Sequence, residues 1–242
     1  MTTRPRRVGH KGADHIAPGN TTASFDAALA HRCDMVEFDV LPERQPDSEE
    51  YTGRLILAHD FKDAAKRTPL TLEEGLDHLA GAAFAGVELD VDLKTHGYED
   101  RVIAALRERG MESRTLISTM EVVSLPVIRA LSADVRLGWS VPKVKRNYLA
   151  NPLTKPLALA TVAALRRTVP RTVARALRAG EIDAVMSHFS LVTPHFVRAV
   201  DAAGGELYVW TVDDAEKIRR FERMGVAGVI TNDPRLFEPL TA

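Results

Sequence analysis

Four groups of ionisable residues close apolar runs in this chain: His10-Lys11-Gly12, Glu37-Phe38-Asp39, His59-Asp60, and Glu88-Leu89-Asp90-Val91-Asp92-Leu93-Lys94. Successive side chains of a strand point to opposite faces, so Glu37 and Asp39 share one face, about 6–7 Å apart along the strand. The same alternation puts Glu88, Asp90, Asp92 and Lys94 on one face of a later strand. Those three acids span about 13 Å, too far for all to touch one ion, and Asp92, nearest the strand end, is expected to join Glu37 and Asp39. Inward carboxylates without a cation disfavour the folded state, and hard oxygen ligands suit one divalent cation, Mg²⁺ or Ca²⁺. The bland alternative is an ion-paired cluster neutralised by Lys94.

His10 and His59 each end a strand, and an imidazole gains or loses a proton near neutral pH, which suits general acid and base work. The sequence leaves open which is acid and which is base. Lys11 and Lys94 would supply the positive charge that a phosphoryl group needs as its charge shifts in the transition state, or serve as counter-ions. Trp210, at the end of Leu207-Tyr208-Val209-Trp210, reads equally as a core aromatic and as a pocket wall touching substrate. His188 has a weaker claim to the same pocket.

These groups need elements that bring them together. Short β-rich runs recur at Arg7-Val8-Gly9, Met35 to Val40, Gly86 to Leu93, Thr115 to Ser118, Val135 to Trp139, Asp183 to Ser187, Leu207 to Thr211 and Val226 to Thr231. Amphipathic stretches lie between them: Thr21 to Ala30, Leu72 to Ala80, Asp100 to Arg109, Val122 to Leu131, Pro194 to Ala203 and Asp214 to Met224, several closed by Gly75, Gly110, Gly204 or Gly225. Strand–helix alternation with eight strands predicts an α/β fold, a parallel (β/α)8 barrel in one domain spanning 1–242. An open doubly wound sheet is the alternative, but no Gly-x-Gly-x-x-Gly turn follows the first strand. The further run Arg54 to Asp60 reads as a small rim hairpin after the second strand. In such a barrel catalytic groups sit at the carboxyl ends of the strands, where His10, Glu37, Asp39, His59, Asp92 and Lys94 all fall.

The chain has 242 residues, is 45% hydrophobic and carries a net charge of −1. That balance speaks against a general nucleic-acid binder. Cys33 is the one cysteine, which excludes an internal disulfide and reads as a packing residue. With neither a secretory leader pattern nor a membrane-spanning run, the expected location is cytoplasmic. One stretch departs from the balance: Val141 to Gly180 holds Lys143, Lys145, Arg146, Lys155, Arg166, Arg167, Arg171, Arg175 and Arg178 and no Asp or Glu. Two readings stand, a peripheral contact with an anionic membrane through 141–180 and a solvated helix face.

The motifs taken together resemble the glycerophosphodiester phosphodiesterase family, whose members carry His-Arg-Gly, Pro-Glu-Asn-Thr, Glu-x-Asp, His-Asp and Val-x-Trp-Thr-Val. Here these read His10-Lys11-Gly12, Pro18-Gly19-Asn20-Thr21, Glu37-Phe38-Asp39, His59-Asp60 and Val209-Trp210-Thr211-Val212, followed by Gly228 to Pro234. The resemblance runs nearly end to end. It implies a TIM barrel of the PLC-like phosphodiesterase type, a divalent cation, and hydrolysis of a glycerophosphodiester to glycerol 3-phosphate and an alcohol. By position, Glu37 and Asp39 would bind the metal, His10 and His59 would move protons, and Trp210 would line the pocket. Lys11 and Gly19 replace the family's usual Arg and Glu, a paired departure that looks coupled. Asp92-x-Lys94 stands where the family has Glu-x-Lys and is similar to spider-venom-type sphingomyelinase D enzymes. The short chain after His59 lacks a capping insertion that many members carry, so a lysolipid phosphodiester joins small-molecule diesters as a candidate substrate. A barrel that binds phospholipid or polyphosphate without turnover is the non-enzyme alternative.

Overall fold

In the computed structural model, residues 4–45, 50–143 and 155–237 are described, with side-chain detail in the last stretch from residue 160. The chain order is β1 (Arg6–Gly9), α1 (Thr22–Ala30), β2 (Met35–Arg44), β3 (Tyr51–Leu57), α2 (Phe61–Ala64), α3 (Leu72–Leu79), β4 (Glu88–Leu93), α4 (Glu99–Glu108), β5 (Thr115–Thr119), α5 (Ser124–Leu131), β6 (Arg136–Val141), α6 (Lys155–Arg178), β7 (Ala184–His188), α7 (Pro194–Asp201), β8 (Glu206–Trp210), α8 (Ala215–Met224) and β9 (Gly228–Thr231). All strands except β3 pair in parallel, and the sheet closes on itself because β1 pairs with both β9 and β2. The result is the expected eight-stranded barrel ringed by helices. β3 lies antiparallel on β2, with Val40 opposite Leu57 and Leu41 opposite Ile56, which is the rim hairpin; residues 46–49 fall outside the described residues.

Each barrel strand has its own apolar run, which is why the strands were legible. The helices carry the caps that their sequences announce: Thr21 and Ser24, and Thr71 and Glu74, form reciprocal capping boxes, and Gly225 ends α8 in the left-handed region at φ 77°. Gly75 corrects one reading. It lies inside α3 rather than closing a helix, at a point where a Cβ would come within 2.5 Å of Leu57 Cδ1, so it gives close helix–strand approach. Two helices were not read from the sequence: the single-turn α2, and α6, whose interior Pro170 and lack of acids in the first turn hide its length.

The lumen is stacked in layers contributed by alternate strands, as parallel barrels require. The lowest is ionic: Arg6 Nε lies 3.0 Å from Glu88 Oε1 and Arg6 Nη1 lies 2.8 Å from Glu206 Oε1. Arg136 closes the ring, bonding Glu88 and, at 2.5 Å, Glu206 Oε2. Above it Val8, Met35, Leu116, Ala184, Met186, Tyr208 and Ile230 form an apolar plug. A separate, larger core fills the space between barrel and helices. The inward positions above the plug, at the carboxyl ends of the strands, are polar and charged.

Candidate active site

β2 delivers Glu37 and Asp39 to the lumen two residues apart, and the β2–β4 register sets Asp92 directly beside Asp39. One carboxylate oxygen from each of Glu37, Asp39 and Asp92 lies within 4.8 Å of the others. Glu37 and Asp39 are buried and Asp92 partly so. Lys94, at the end of β4, reaches back between two of them, bonding Asp39 and, at 2.5 Å, Asp92 Oδ2. Burial works against the Asp39 carboxylate, yet the Lys94 ammonium and the His59 and His10 rings hold it well below the usual range. The opposite holds for Glu37, where burial and then the Asp39 charge push the carboxyl well above its usual range. Burial opposes the Lys94 charge as well, but Asp39, Asp92 and Glu37 outweigh it and keep the ammonium protonated.

Three carboxyls facing one lysine leave a net negative centre, which favours a proton on Glu37. A divalent cation would offset that charge with Glu37 ionised. The donor set fits: three hard oxygens, converging and short of positive charge. Asp90, one layer deeper, is not part of this set. Its carboxylate is buried, and burial pushes its pKa to about 8, with a hydrogen bond from Ser118 acting in the other direction. Glu88, deeper still, is paired with Arg6 and Arg136.

His10 follows β1, and its ring is oriented by two residues that sequence reasoning did not single out. Asn232 Nδ2 donates to Asp213 Oδ2 at 2.7 Å, so its Oδ1 faces His10 Nδ1 at 2.6 Å and must accept. That fixes the tautomer: Nδ1 carries the proton, and Nε2, 3.9 Å from Glu37 Oε2, is the basic nitrogen. Burial lowers the pKa of His10, favouring the neutral ring. His59, after β3, sits at the mouth with its side chain 54% exposed and Nδ1 3.4 Å from Asp39 Oδ2.

The turn after β1 binds the carboxylates with its backbone. Lys11 N–H donates to Glu37 Oε2 at 2.7 Å, while the Lys11 ammonium turns aside to Asp14 Oδ2 at 2.5 Å. Gly12 sits at φ +84°, where a Cβ would come within 2.6 Å of the Ser24 backbone. Asn20 clamps Asp39 at both ends, donating from Nδ2 to Oδ2 at 2.8 Å and accepting the Asp39 N–H at 3.0 Å. The signal for Asn20 was its place after Gly19, since asparagine tolerates the left-handed φ of 59° found there. Trp210 ends β8 on the far side of the lumen, partly exposed, its ring standing edge-on to His188 with centroids 5.2 Å apart. The structure thus gathers His10, His59, Glu37, Asp39, Asp92 and Lys94 at one barrel end, with Trp210 across from them and the Lys11 ammonium at the edge.

Residues 85–236 match the family model described as the glycerophosphoryl diester phosphodiesterase family. A glycerophosphodiester phosphodiesterase of Caldanaerobacter subterraneus subsp. tengcongensis is 23% identical across 94% of this chain and 93% of its own length. One from Arabidopsis thaliana is 25% identical across 98% of this chain and 73% of its own. Among solved structures, a glycerophosphodiester phosphodiesterase from Parabacteroides distasonis superposes with a TM-score of 0.72 at 15% identity, covering 97% of this chain and 95% of that one. An Oleispira antarctica phosphodiesterase in complex with the product sn-glycerol-3-phosphate gives a TM-score of 0.67 at 19% identity, with 96% and 94% covered.

Proposed function

The chain belongs to the glycerophosphoryl diester phosphodiesterase family, and from that membership we propose that it hydrolyses a glycerophosphodiester to glycerol 3-phosphate and an alcohol. The observation that carries the reading is the convergence of Glu37, Asp39 and Asp92 beside a histidine whose basic nitrogen, Nε2, faces them. Glu37, Asp39 and Asp92 would hold one divalent cation, Mg²⁺ or Ca²⁺, which supplies positive charge to a phosphate oxygen.

His10 takes the proton from the attacking hydroxyl at Nε2, because Asn232 commits Nδ1 to donation. The resulting imidazolium is stabilised through Asn232 and Asp213. His59, open to solvent and touching Asp39, returns a proton to the leaving alcohol oxygen. Lys94 spans Asp39 and Asp92 and stabilises negative charge that grows on the phosphoryl group; Lys11 adds a second cation at the edge, and Trp210 walls the side opposite. Asn20 orients Asp39 and does not move protons. The test is release of glycerol 3-phosphate from glycerophosphocholine with and without Mg²⁺ or Ca²⁺. Turnover that needs the cation and is lost in His10→Ala and Glu37→Ala, with folding retained, supports the reading; a folded wild-type protein inert with either ion overturns it.

A lysolipid substrate is the second reading, and one observation favours it. Val122, Val123 and Phe189, on loops after β5 and β7, are exposed at the end of the barrel where the site opens. Arg166, Arg167, Arg171, Arg175 and Arg178 of α6 are exposed as well, a charge pattern suited to an anionic surface. Lys145, Arg146 and Leu149 of the basic stretch lie outside the described residues, as do the side chains of Lys155, Leu157, Ala158 and Leu159. No helix among the described residues is long and apolar enough to cross a membrane. Faster turnover of lysophosphatidylcholine than of glycerophosphocholine would decide for this reading, and equal or slower turnover against it. A cytoplasmic location, with or without peripheral membrane contact, belongs to the same proposal.

A further inference from the structure

Lys11 and Gly19 belong to one turn, and a third residue, Asp14, joins them. Asp14 Oδ2 lies 2.5 Å from Lys11 Nζ, and Asp14 Oδ1 accepts the Gly19 N–H at 2.8 Å. A Cβ at Gly19 would fall 2.5 Å from Asp14 Oδ1 and 2.9 Å from both Asp14 Cγ and Lys11 Cβ. Gly19 is not among the left-handed glycines, so glycine is needed there for space and not for backbone conformation. Lys11 itself is left-handed at φ 51°, which turns its N–H toward Glu37 and its side chain outward. The three residues line a cleft of about 180 Å³ with Asn20, Asp63 and Arg67. Across that cleft Arg67 is already committed to Asp63 at 2.9 Å, which leaves Asp14 as the partner that holds the Lys11 ammonium.

We propose that Asp14 is a positioning residue that fixes the Lys11 ammonium at the edge of the carboxylate site for the anionic end of the substrate, and that position 19 is glycine because the Asp14 carboxylate occupies its Cβ space. The proposal rests on the phosphodiesterase reading above. It gives the paired departure at 11 and 19 a physical cause: the carboxylate that holds the Lys11 ammonium comes from Asp14, and it fills the space that any side chain at position 19 would need. A lysine presents one point of charge rather than a planar fork, so its position must be set by a partner. Asp14 never touches the reacting atoms, and its effect passes wholly through Lys11.

The test is a double-mutant cycle on glycerophosphocholine hydrolysis by the cation-loaded protein. Asp14→Asn keeps the shape and the acceptor for Gly19 N–H and removes the carboxylate charge that faces the Lys11 ammonium. It is expected to raise KM about tenfold with kcat within about twofold, and to weaken inhibition by glycerol 3-phosphate by a similar factor. In a Lys11→Met background the same substitution is expected to change neither constant further. Gly19→Ala, which pushes the carboxylate off Lys11, is expected to reproduce the KM rise and not to add to Asp14→Asn. An unchanged KM in Asp14→Asn, or an equal rise with and without Lys11, overturns the proposal while wild-type turnover leaves the phosphodiesterase reading standing. Failure of that reading is a different result, a folded wild-type protein with no turnover.

Discussion

Charge and proton occupancy govern the individual residues of the site. Because burial and Asp39 raise Glu37 well above its usual range, a cation competes with a proton there, and affinity is expected to rise with pH until Glu37 is ionised in the cation-free protein. Calorimetry in two buffers of different ionisation enthalpy should report release of about one proton per ion, and Glu37→Gln should abolish the buffer dependence. Asp90 makes a second pH-dependent claim. Its native pKa of about 8 lies above the unfolded value of about 4, so the native state binds the extra proton and stability falls as pH rises from about 4 to about 8. Asp90→Asn should flatten that slope and raise the melting temperature at pH 8 by roughly 2–8 °C, for about 1–2 kcal/mol, with little change at pH 4; an unaltered slope would exclude Asp90 as its source. The carboxylates and histidines were legible in the sequence because ionisable groups ending apolar runs have few structural uses. Asn20, Asn232 and Asp213 were not, since an uncharged amide acquires its role only from the ring or carboxylate that folding brings beside it.

At the level of elements, the turn from β1 into α1 carries the most function per residue. It supplies His10, the amide of Lys11 to Glu37, and Asn20 to Asp39. Gly12 is its hinge. An added methyl would meet the Ser24 backbone at 2.5 Å while forcing a φ of +84°, so Gly12→Ala is expected to cost about 2–3 kcal/mol, roughly 4–12 °C of melting temperature, and to lower kcat. A variant with wild-type melting behaviour would show that the turn relaxes freely. Barrel strands announced themselves because a parallel sheet buries both faces and reads as apolar runs, broken in β2 and β4 by the inward carboxylates. The helices were less legible where ordinary punctuation misleads: Gly75 looks like a terminator and is a packing contact, and Pro170 looks like a break yet lies within the 24 residues of α6.

For the molecule as a whole, the layered lumen separates stability from chemistry. The ionic ring of Arg6, Glu88, Arg136 and Glu206 draws on four strands, and its register could not be read from a sequence in which these four residues are up to 200 positions apart. Removing one cation strands its carboxylate partners: Arg136→Met is expected to destabilise by about 1–3 kcal/mol, a moderate figure because these side chains are about a quarter to a third exposed. Urea unfolding would measure it, with KM and kcat expected to stay within about twofold; a large activity loss at wild-type stability would contradict the separation. The apolar plug above this ring closes the lumen beneath the site, so among the described residues the door lies at the carboxyl ends of the strands. Glycerol phosphate must depart along the path by which the next diester arrives, so the two queue for one corridor, and accumulated product slows turnover by occupying the entrance, a brake that rising diester concentration releases.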